Sequence, residues 1–537
     1  MAANKKSTRS LAGIASIVAA ATLISKIFGL FREQAIAAAF GVGPVVNAYA
    51  FAYVIPGFLL VLLGGINGPF HSALVSVLAR RNKAETIPIV ETVTTIVGGA
   101  LLLVAIALYI FAPTCIDLVA PGLSATAEGL EVRSLAILQL QLMAPLAILA
   151  GLIGIGFGTL NASDQYWLPS LSPVFSSLAI LLGIGWLIFF LGVDVNDPQY
   201  LKFGAILLAG ATLAGAVWQW FAQLIAQWRS GLGGISLRFD FNNSGVKEVM
   251  KVMIPATFSS GMLHINVYTD LFFASYIENA AAALRYANFI VLTPLGIISN
   301  MILVPMLPIF SRLAAPENWH ELKIRIRQGL LLTALTMLPL TALFVSLGFP
   351  IVRVIYERFA FGKEASAIVA PVLIVYGLGM FFYLARDVLV RVFYALGDGK
   401  TPFQISLANI LLNAVLDYFL VQAFATSGLV LATIGVNITS IIVMLAILHR
   451  RLNGLPLLEW GLILLALSGG SLVAGLASFS ASWSFASTFG ADTFFLQLSQ
   501  LSIGMIVGLG IFILFVTQLR LPEVDILVNR VKQKFGK

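Results

Sequence analysis

Three ionisable side chains lie inside the first long apolar segment of the sequence, at Lys26, Arg32 and Glu33. A Lys or Arg at the centre of a bilayer costs at least ~2.5–3.5 kcal/mol on insertion scales, so it is expected to face a water-filled cavity or a charged partner. Residues 25–33 therefore predict a polar cavity in a membrane protein, open to something negatively charged. The alternative is that Arg32 and Glu33 lie near a membrane surface and extend into water, while Lys26 is merely paired.

A second group of oxygen-bearing side chains occurs in three later apolar segments, at Asp270, Asn413, Asp417 and Thr433. Asn413 and Asp417 are one helical turn apart and share a helix face. With Asp270 from a neighbouring helix, they would surround a small cation with hard oxygen ligands. The open alternative is a polar cluster, or a pair of carboxylates sharing a proton, that fastens helices together.

A third group of charges lies in one apolar segment, at Arg386, Asp387 and Arg391. Arg386 and Asp387 are sequence neighbours on different helix faces, so they are not expected to neutralise each other. We assign this group to topology or gating and not to substrate binding. The sequence has no nucleophile elbow, paired catalytic carboxylates or phosphate-binding loop, so it favours a protein that is not an enzyme.

The elements that must position these side chains follow from composition. Of 537 residues, 59% are hydrophobic and 10% are charged, and apolar runs long enough to span a bilayer recur from end to end. This predicts an all-α polytopic membrane protein and excludes a soluble one. The single cysteine, Cys115, cannot form an intrachain disulfide. The formal charge of +8 falls mostly in short loops, which indicates membrane orientation and no nucleic-acid partner.

Hydropathy predicts fourteen transmembrane helices. They cover residues 10–40, 44–79, 87–112, 133–160, 169–192, 201–228, 249–276, 280–310, 323–347, 366–395, 401–423, 427–449, 457–478 and 497–518. Basic residues concentrate in alternate loops, so both termini are expected in the cytoplasm. The loop after the ninth span is the mixed case, with Arg353, Glu357, Arg358, Lys363 and Glu364.

A long basic connection divides the chain into two halves of six spans. Because six is even, both halves have the same orientation, which predicts parallel repeats. We expect an N-terminal lobe at 1–228, a cytoplasmic linker at 229–248, a C-terminal lobe at 249–450, and helices 13 and 14 with a cytoplasmic tail at 451–537. Two lobes related by an axis along the membrane normal are typical of a transporter that holds substrate between them.

Small residues at helical spacing also occur, at Gly154-x-x-x-Gly158. Such a pattern in a membrane helix is typical of close helix packing. We therefore expect a helix contact at these glycines and no chemistry.

Several motifs resemble the MurJ (MviN) family of the multidrug/oligosaccharidyl-lipid/polysaccharide exporter superfamily. They are Ser25-Lys26-x-x-Gly29-x-x-Arg32-Glu33 followed by Phe40-Gly41, then Gly68-Pro69-Phe70-x-Ser72-Ala73, and Leu396-Gly397-Asp398-x-Lys400-Thr401-Pro402. The fourteen spans with an extra C-terminal pair are similar too. Family members are lipid II flippases. The resemblance implies that lipid II moves from the inner to the outer leaflet of the bacterial cytoplasmic membrane, by alternating access, for peptidoglycan and cell-wall synthesis.

The resemblance also implies a substrate site. A diphosphate needs several positive donors in a space poor in water, and Lys26, Arg32 and Arg285 would supply them. Arg285 lies on nearly the same helix face as Phe289, which stands where the family commonly has arginine. The remaining residues expected at the substrate site are Glu33, Asn47 and Asn288.

Some members have a sodium site with the pattern of Asp270, Asn413, Asp417 and Thr433, so a sodium ion is the one cofactor expected. The expected partners are lipid II and membrane lipids. The chain departs from the family pattern in its second span, which has apolar residues at 60–63 and a short insertion around 64–67. Two alternatives stay open: an exporter of another polyprenyl-diphosphate oligosaccharide or of a drug, and a membrane-embedded transferase.

Overall fold

A computed structural model describes residues 11–65, 68–192, 197–262 and 265–519 of the chain. These described residues form helices joined by short connections, and no strand occurs among them. The α-helices are α1 (Leu11–Phe40), α2 (Pro44–Gly64), α3 (Pro69–Leu78), α4 (Lys83–Ile110), α5 (Ala112–Val119), α6 (Ala127–Met143), α7 (Leu146–Ala162), α8 (Trp167–Leu171), α9 (Pro173–Leu191), α10 (Leu201–Arg229), α11 (Ser244–Met262), α12 (Ile265–Ala274), α13 (Ala280–Arg312), α14 (Trp319–Ser346), α15 (Gly348–Tyr356), α16 (Lys363–Ala395), α17 (Lys400–Phe424), α18 (Thr426–Arg451), α19 (Leu457–Phe489) and α20 (Phe494–Gln518).

The predicted all-α membrane fold is confirmed. Within the described residues, eleven helical segments are long and apolar enough to cross a membrane, or twelve when the bent pair of α6 and α7 counts as one span. The other two predicted spans correspond to α1 and to the pair of α11 and α12. The largest difference from the predicted bounds is at α19, which continues to Phe489 instead of ending at residue 478.

Local sequence signals explain where several helices begin. At the start of α4, the side chain of Asn82 accepts a hydrogen bond from the backbone N–H of Glu85, at 3.0 Å, and its amide donates to the Glu85 carboxylate. This reciprocal capping satisfies one of the free N–H groups at a helix start. The second span was predicted as continuous over residues 44–79, but it consists of two helices: α2 ends at Gly64, and α3 begins at Pro69, a residue favoured in the first helical turn.

The expected helix contact at the small residues of α7 is confirmed. A Cβ atom added at Gly154 would collide with the backbone carbonyl of Leu63 in α2, and one added at Gly158 would lie 2.7 Å from Cβ of Leu74 in α3. Because these two residues have no side chain, the backbone of α7 packs closely against α2 and α3.

Two compact units divide the chain, the first ending at Ala282 and the second beginning at Ala283. In the first unit, α7 contacts α2, α3, α4 and α10, while α1 lies against α8 and α9. Helix α11 contacts α3 and α4, and α12 contacts α5, so both belong to this unit. The predicted lobe boundaries on either side of residues 229–248 stay a prediction.

In the second unit, α16 lies between α14 and α18, α17 contacts α18, and the C-terminal pair of α19 and α20 contacts α14. The mixed charges after the ninth span have local partners in this unit. Arg353 donates to both oxygens of Glu357, at 3.1 and 3.0 Å, and Ser366 also donates to Glu357, at 2.9 Å. Because these charges compensate one another, the loop is a poor indicator of membrane orientation.

The C-terminal helix pair is attached to the second unit at both of its ends. At one end, Arg353 donates to the backbone carbonyl of Ala491, between α19 and α20, at 2.8 Å. At the other end, Arg327 of α14 lies 3.5 Å from Glu459 at the start of α19. The pair is therefore a fixed part of the second unit.

Candidate substrate and cation sites

The charged stretch of α1 is a continuous helix with one close ion pair. Arg32 donates through Nη2 and Nε to Oε1 of Glu33, at 2.8 and 3.1 Å. The Glu33 side chain is 2% exposed and that of Arg32 is 27% exposed, whereas Lys26 is exposed. The buried carboxylate thus holds one side of the guanidinium and leaves part of it accessible. With Lys26, the stretch keeps a net positive charge.

Asn47 is held at the start of α2 by hydrogen bonds at both ends of its side-chain amide. Its Nδ2 donates to the backbone carbonyl of Val42, at 2.7 Å, and to Oδ1 of Asn279, at 2.8 Å. Its Oδ1 accepts from the backbone N–H of Ala282, at 3.0 Å. Asn47 is 4% exposed. These contacts connect the start of α2 with the start of α13, so Asn47 has a structural role that the sequence did not reveal.

Arg285 and Asn288 lie in the first turns of α13, in the second unit. Their spacing of three residues puts them on one helix face, and both are half-buried. Tyr286 and Ala287, which lie between them in sequence, are fully buried. One face of this helix therefore packs in the protein core, and Arg285 and Asn288 lie on another, partly exposed face.

Part of the predicted cation cluster comes together in the second unit. The Nδ2 of Asn413 donates to Oδ2 of Asp417, at 2.8 Å, and both side chains are fully buried. Thr433 lies on α18, which contacts α17, and its hydroxyl donates to the carbonyl of Leu429, at 3.3 Å. Asp270 lies on α12, in the first unit.

The polar cluster extends beyond the residues predicted from the sequence. Asn409 lies one turn before Asn413, is buried, and donates to Oγ of Ser440 on α18, at 2.7 Å. Asn437, also on α18, donates to the backbone carbonyl of Thr433, at 2.7 Å. The four-residue spacing of Asn409, Asn413 and Asp417 was the available signal, because it aligns three polar side chains on one face of α17.

Arg386 and Asp387 start from different helix faces, and their side chains come close enough for a loose ion pair. Nη1 of Arg386 lies 3.8 Å from Oδ1 of Asp387, because long side chains on adjacent residues bend toward each other. Nη2 of Arg386 also donates to Oγ of Ser406 on α17, at 3.2 Å. The Asp387 side chain is 49% exposed, so this pair lies on an accessible face of α16, and Arg391 is half-buried one turn further along.

Comparison with known proteins gives the family. A family model described as lipid II flippase MurJ matches residues 36–500. A protein of Synechocystis sp. named probable lipid II flippase MurJ is 58% identical over 100% of this chain and 99% of its own length. The chain belongs to the MurJ family. The family model begins after Lys26, Arg32 and Glu33, but the alignment with the Synechocystis relative covers the whole chain.

Solved structures share the fold. A lipid II flippase MurJ in an inward closed conformation has a TM-score of 0.72 and 23% identity, covering 94% of this chain and 99% of that one. An inward-facing multidrug resistance transporter of the MATE family, within the MOP superfamily, has a TM-score of 0.61 and 18% identity over 82% of this chain and 98% of its own. At these identities the likeness concerns the fold alone. Like other MurJ proteins, this chain is a transporter and not an enzyme.

Proposed function

We propose that this MurJ protein moves lipid II from the inner to the outer leaflet of the cytoplasmic membrane, for peptidoglycan synthesis. The observation that carries the proposal is the full-length match, at 58% identity, to a relative named as a probable lipid II flippase. Moving an intact lipid between leaflets requires no bond to be broken. It requires a polar path for the headgroup and two arrangements of the protein that open to opposite sides.

Lys26, Arg32 and Arg285 would bind the diphosphate of lipid II. An Arg guanidinium contacts two phosphate oxygens at once, and such charge-assisted hydrogen bonds are stronger than neutral ones. The contact from Arg32 to the buried Glu33 supports this role, because it fixes the guanidinium before substrate arrives. Lys26 would add a flexible positive charge. Asn288, on the same helix face as Arg285, would donate to the sugar or the peptide.

A sodium ion bound to Asp270, Asn413, Asp417 and Thr433 would couple transport to an ion gradient. The oxygen donors of these side chains suit a hard monovalent cation. The hydrogen bond from Asn413 to Asp417 supports the proposal, because it holds two potential oxygen ligands together in the protein interior. Both termini would lie in the cytoplasm. A topology reporter fused after Arg451 tests this orientation and should report a cytoplasmic location.

Complementation tests the function: this chain is expressed in a bacterium depleted of its own lipid II flippase. The wild-type chain should restore growth, whereas Arg32→Ala should fail to do so at equal protein level, because losing one charge-assisted contact costs about 1.5–3 kcal/mol. Lys26→Arg, which preserves the charge, should restore growth. Growth with both Arg32→Ala and Arg285→Ala would show that the diphosphate binds elsewhere. Failure of the wild-type chain, when present in the membrane, would refute the proposed function.

A further inference from the structure

The connection between α10 and α11 is fixed to the surface of the first unit. We call its residues 230–243 the strap. Lys83 donates to the backbone carbonyl of Ser230, at 2.8 Å, and Gln165 donates to the hydroxyl of the same residue, at 2.6 Å. Further along, the backbone N–H of Arg238 donates to the Thr95 hydroxyl, at 3.1 Å, and its guanidinium lies 3.4 Å from Glu91. The strap therefore runs along α4 in a defined position.

The strap has an apolar edge with the period of an extended chain. Ile235, Leu237, Phe239 and Phe241 alternate with polar residues and are 71%, 80%, 66% and 56% exposed. The rings of Phe239 and Phe241 lie 6.1 Å apart, so they point to the same side. Four large apolar side chains in a row cannot remain in water without a substantial free-energy cost.

The contacts with α4 indicate how deep in the membrane the apolar edge of the strap lies. Thr95 lies about 18 Å along the helix from its first residue, Lys83, at a rise of ~1.5 Å per residue. The part of α4 up to Thr95 contains Glu85, Glu91 and several threonines, and residues 96–111 are uncharged and almost entirely apolar. The strap runs along the polar part of α4 and reaches, at Thr95, the point where the apolar part begins. This is where a membrane helix passes from the headgroup region into the hydrocarbon.

The surroundings of the strap suit a phospholipid. A cavity of about 650 Å³, open to the outside, lies between the strap, α4 and the end of α10. Its lining residues include Ile87, Leu224, Ile225 and Trp228, and one carboxylate, Glu91, which lies 3.4 Å from Arg238. Trp228 is 72% exposed and continues the apolar surface of α10 into the strap. Exposed basic residues flank the strap in sequence at Arg229, Lys247 and Lys251, and Lys83 and Arg238 are also exposed. The apolar edge and the cavity suit the acyl chains of a membrane lipid, and the basic residues suit its phosphate.

We propose that the strap is a phospholipid-binding element lying in the membrane interface. Its apolar edge inserts among the acyl chains near the headgroups, and the cavity beneath it takes one acyl chain. The basic residues at its ends contact lipid phosphates. The strap then holds the first unit at a fixed depth at this membrane surface.

Site-specific fluorescence in liposomes tests this proposal. With Cys115 replaced by Ser, a polarity-sensitive label is attached to Leu237→Cys or to Phe239→Cys on the apolar edge. The matched control is Arg80→Cys, an exposed position on the adjacent turn between α3 and α4. Phospholipids brominated along their acyl chains should quench both edge labels at least about twofold more than the control label, since an interfacial element lies near the acyl chains. Water-soluble iodide should quench in the opposite order.

Two results would overturn the proposal. Equal quenching by iodide at positions 237, 239 and 80 would show that the edge faces the aqueous phase, where its partner would be a protein. Bromolipid quenching at position 80 equal to that at 237 and 239 would show that the whole surface is buried in lipid and that the strap has no special role. Neither result depends on transport activity.

Discussion

Asn47 shows how a residue expected at a substrate site is also a structural connector. Its amide donates to Val42 and Asn279 and accepts from Ala282, so its hydrogen-bonding groups serve the protein itself. The sequence indicated only that a buried amide follows the first helix. The bond to the backbone of Ala282 could not be inferred, because it joins residues more than two hundred positions apart.

Asn47→Ala should destabilise the protein by about 1–3 kcal/mol, because it leaves the buried N–H of Ala282 and the carbonyl of Val42 without partners. Thermal unfolding of the purified protein in detergent measures this. Asn242→Ala, at an exposed asparagine, should leave the melting temperature unchanged. Equal melting temperatures for Asn47→Ala and wild type would show that these hydrogen bonds do not stabilise the fold.

Asp398 connects the turn between α16 and α17 with the end of α18. Its carboxylate accepts from the Thr401 backbone and hydroxyl, at 3.0 and 2.8 Å, and from Arg451, at 2.8 Å. Burial by itself would raise the pKa of Asp398, but the hydrogen bonds from Thr401 and Arg451 outweigh burial and hold the pKa below its usual 3.8. The ionised form is therefore the one that stabilises the fold.

Asp398→Asn should lower stability at neutral pH by about 1 kcal/mol, the value of a partly exposed charge-assisted contact. A carboxyl with a depressed folded-state pKa stabilises fully above its unfolded pKa, and this contribution disappears as pH falls through the folded value. The difference in melting temperature between wild type and variant should therefore be constant above about pH 5 and shrink below pH 4. A difference that is independent of pH would assign the effect to packing.

At the scale of elements, the helices were predictable and their breaks only partly so. Long apolar runs predict α4, α10 and α16, because an apolar segment inside a membrane must form all its backbone hydrogen bonds within the protein, and a helix does so. The break after Gly64 was not predicted, although it falls at the surplus residues 64–67. The bend of 43° between α6 and α7 has a signal in the sequence, because Pro145 lies between the two helices and cannot donate a helical hydrogen bond. The span was nevertheless predicted as continuous over residues 133–160.

The contact of α7 with the second span gives an element-scale prediction. Gly154→Ala should destabilise by about 1–3 kcal/mol, because the added methyl group meets the rigid backbone carbonyl of Leu63. Gly98→Ala in α4 is the control, since no atom lies within 4 Å of its added methyl group. It should stabilise by about 0.4–1 kcal/mol through lower chain entropy in the unfolded state. Unfolding in a denaturant series compares the two, and equal shifts would refute the packing explanation.

At the scale of the whole molecule, the candidate sites were less predictable than the fold. Side chains on one helix, such as Asn413 with Asp417, were paired correctly from their spacing alone. The loose ion pair of Arg386 with Asp387 depends on the length of the arginine side chain, which helix faces alone do not describe. Asn409 was missed although its four-residue spacing from Asn413 was visible in the sequence, whereas its partner on the next helix, Ser440, was not.

The proposed sodium coupling predicts a change in the whole protein. A ligand shifts a conformational equilibrium only by its differential affinity for the two states, so sodium should favour one arrangement. With Cys115 replaced by Ser, the labelling rate of Asn288→Cys should change with sodium. Adding Asp417→Asn should remove most of that response, while the hydrogen bond to Asn413 can still form. An unchanged sodium response in Asp417→Asn would exclude Asp417 from the coupling site.

Transfer of lipid II between leaflets is the most direct test of the central claim. Purified protein is reconstituted into liposomes that contain lipid II in both leaflets, and an impermeant reagent modifies the headgroups accessible from outside. The wild-type protein should raise the modified fraction from about half to nearly all, with the lipid chemically unchanged before modification. Arg32→Ala should give the same plateau as protein-free liposomes. A wild-type plateau equal to that of protein-free liposomes would contradict the account.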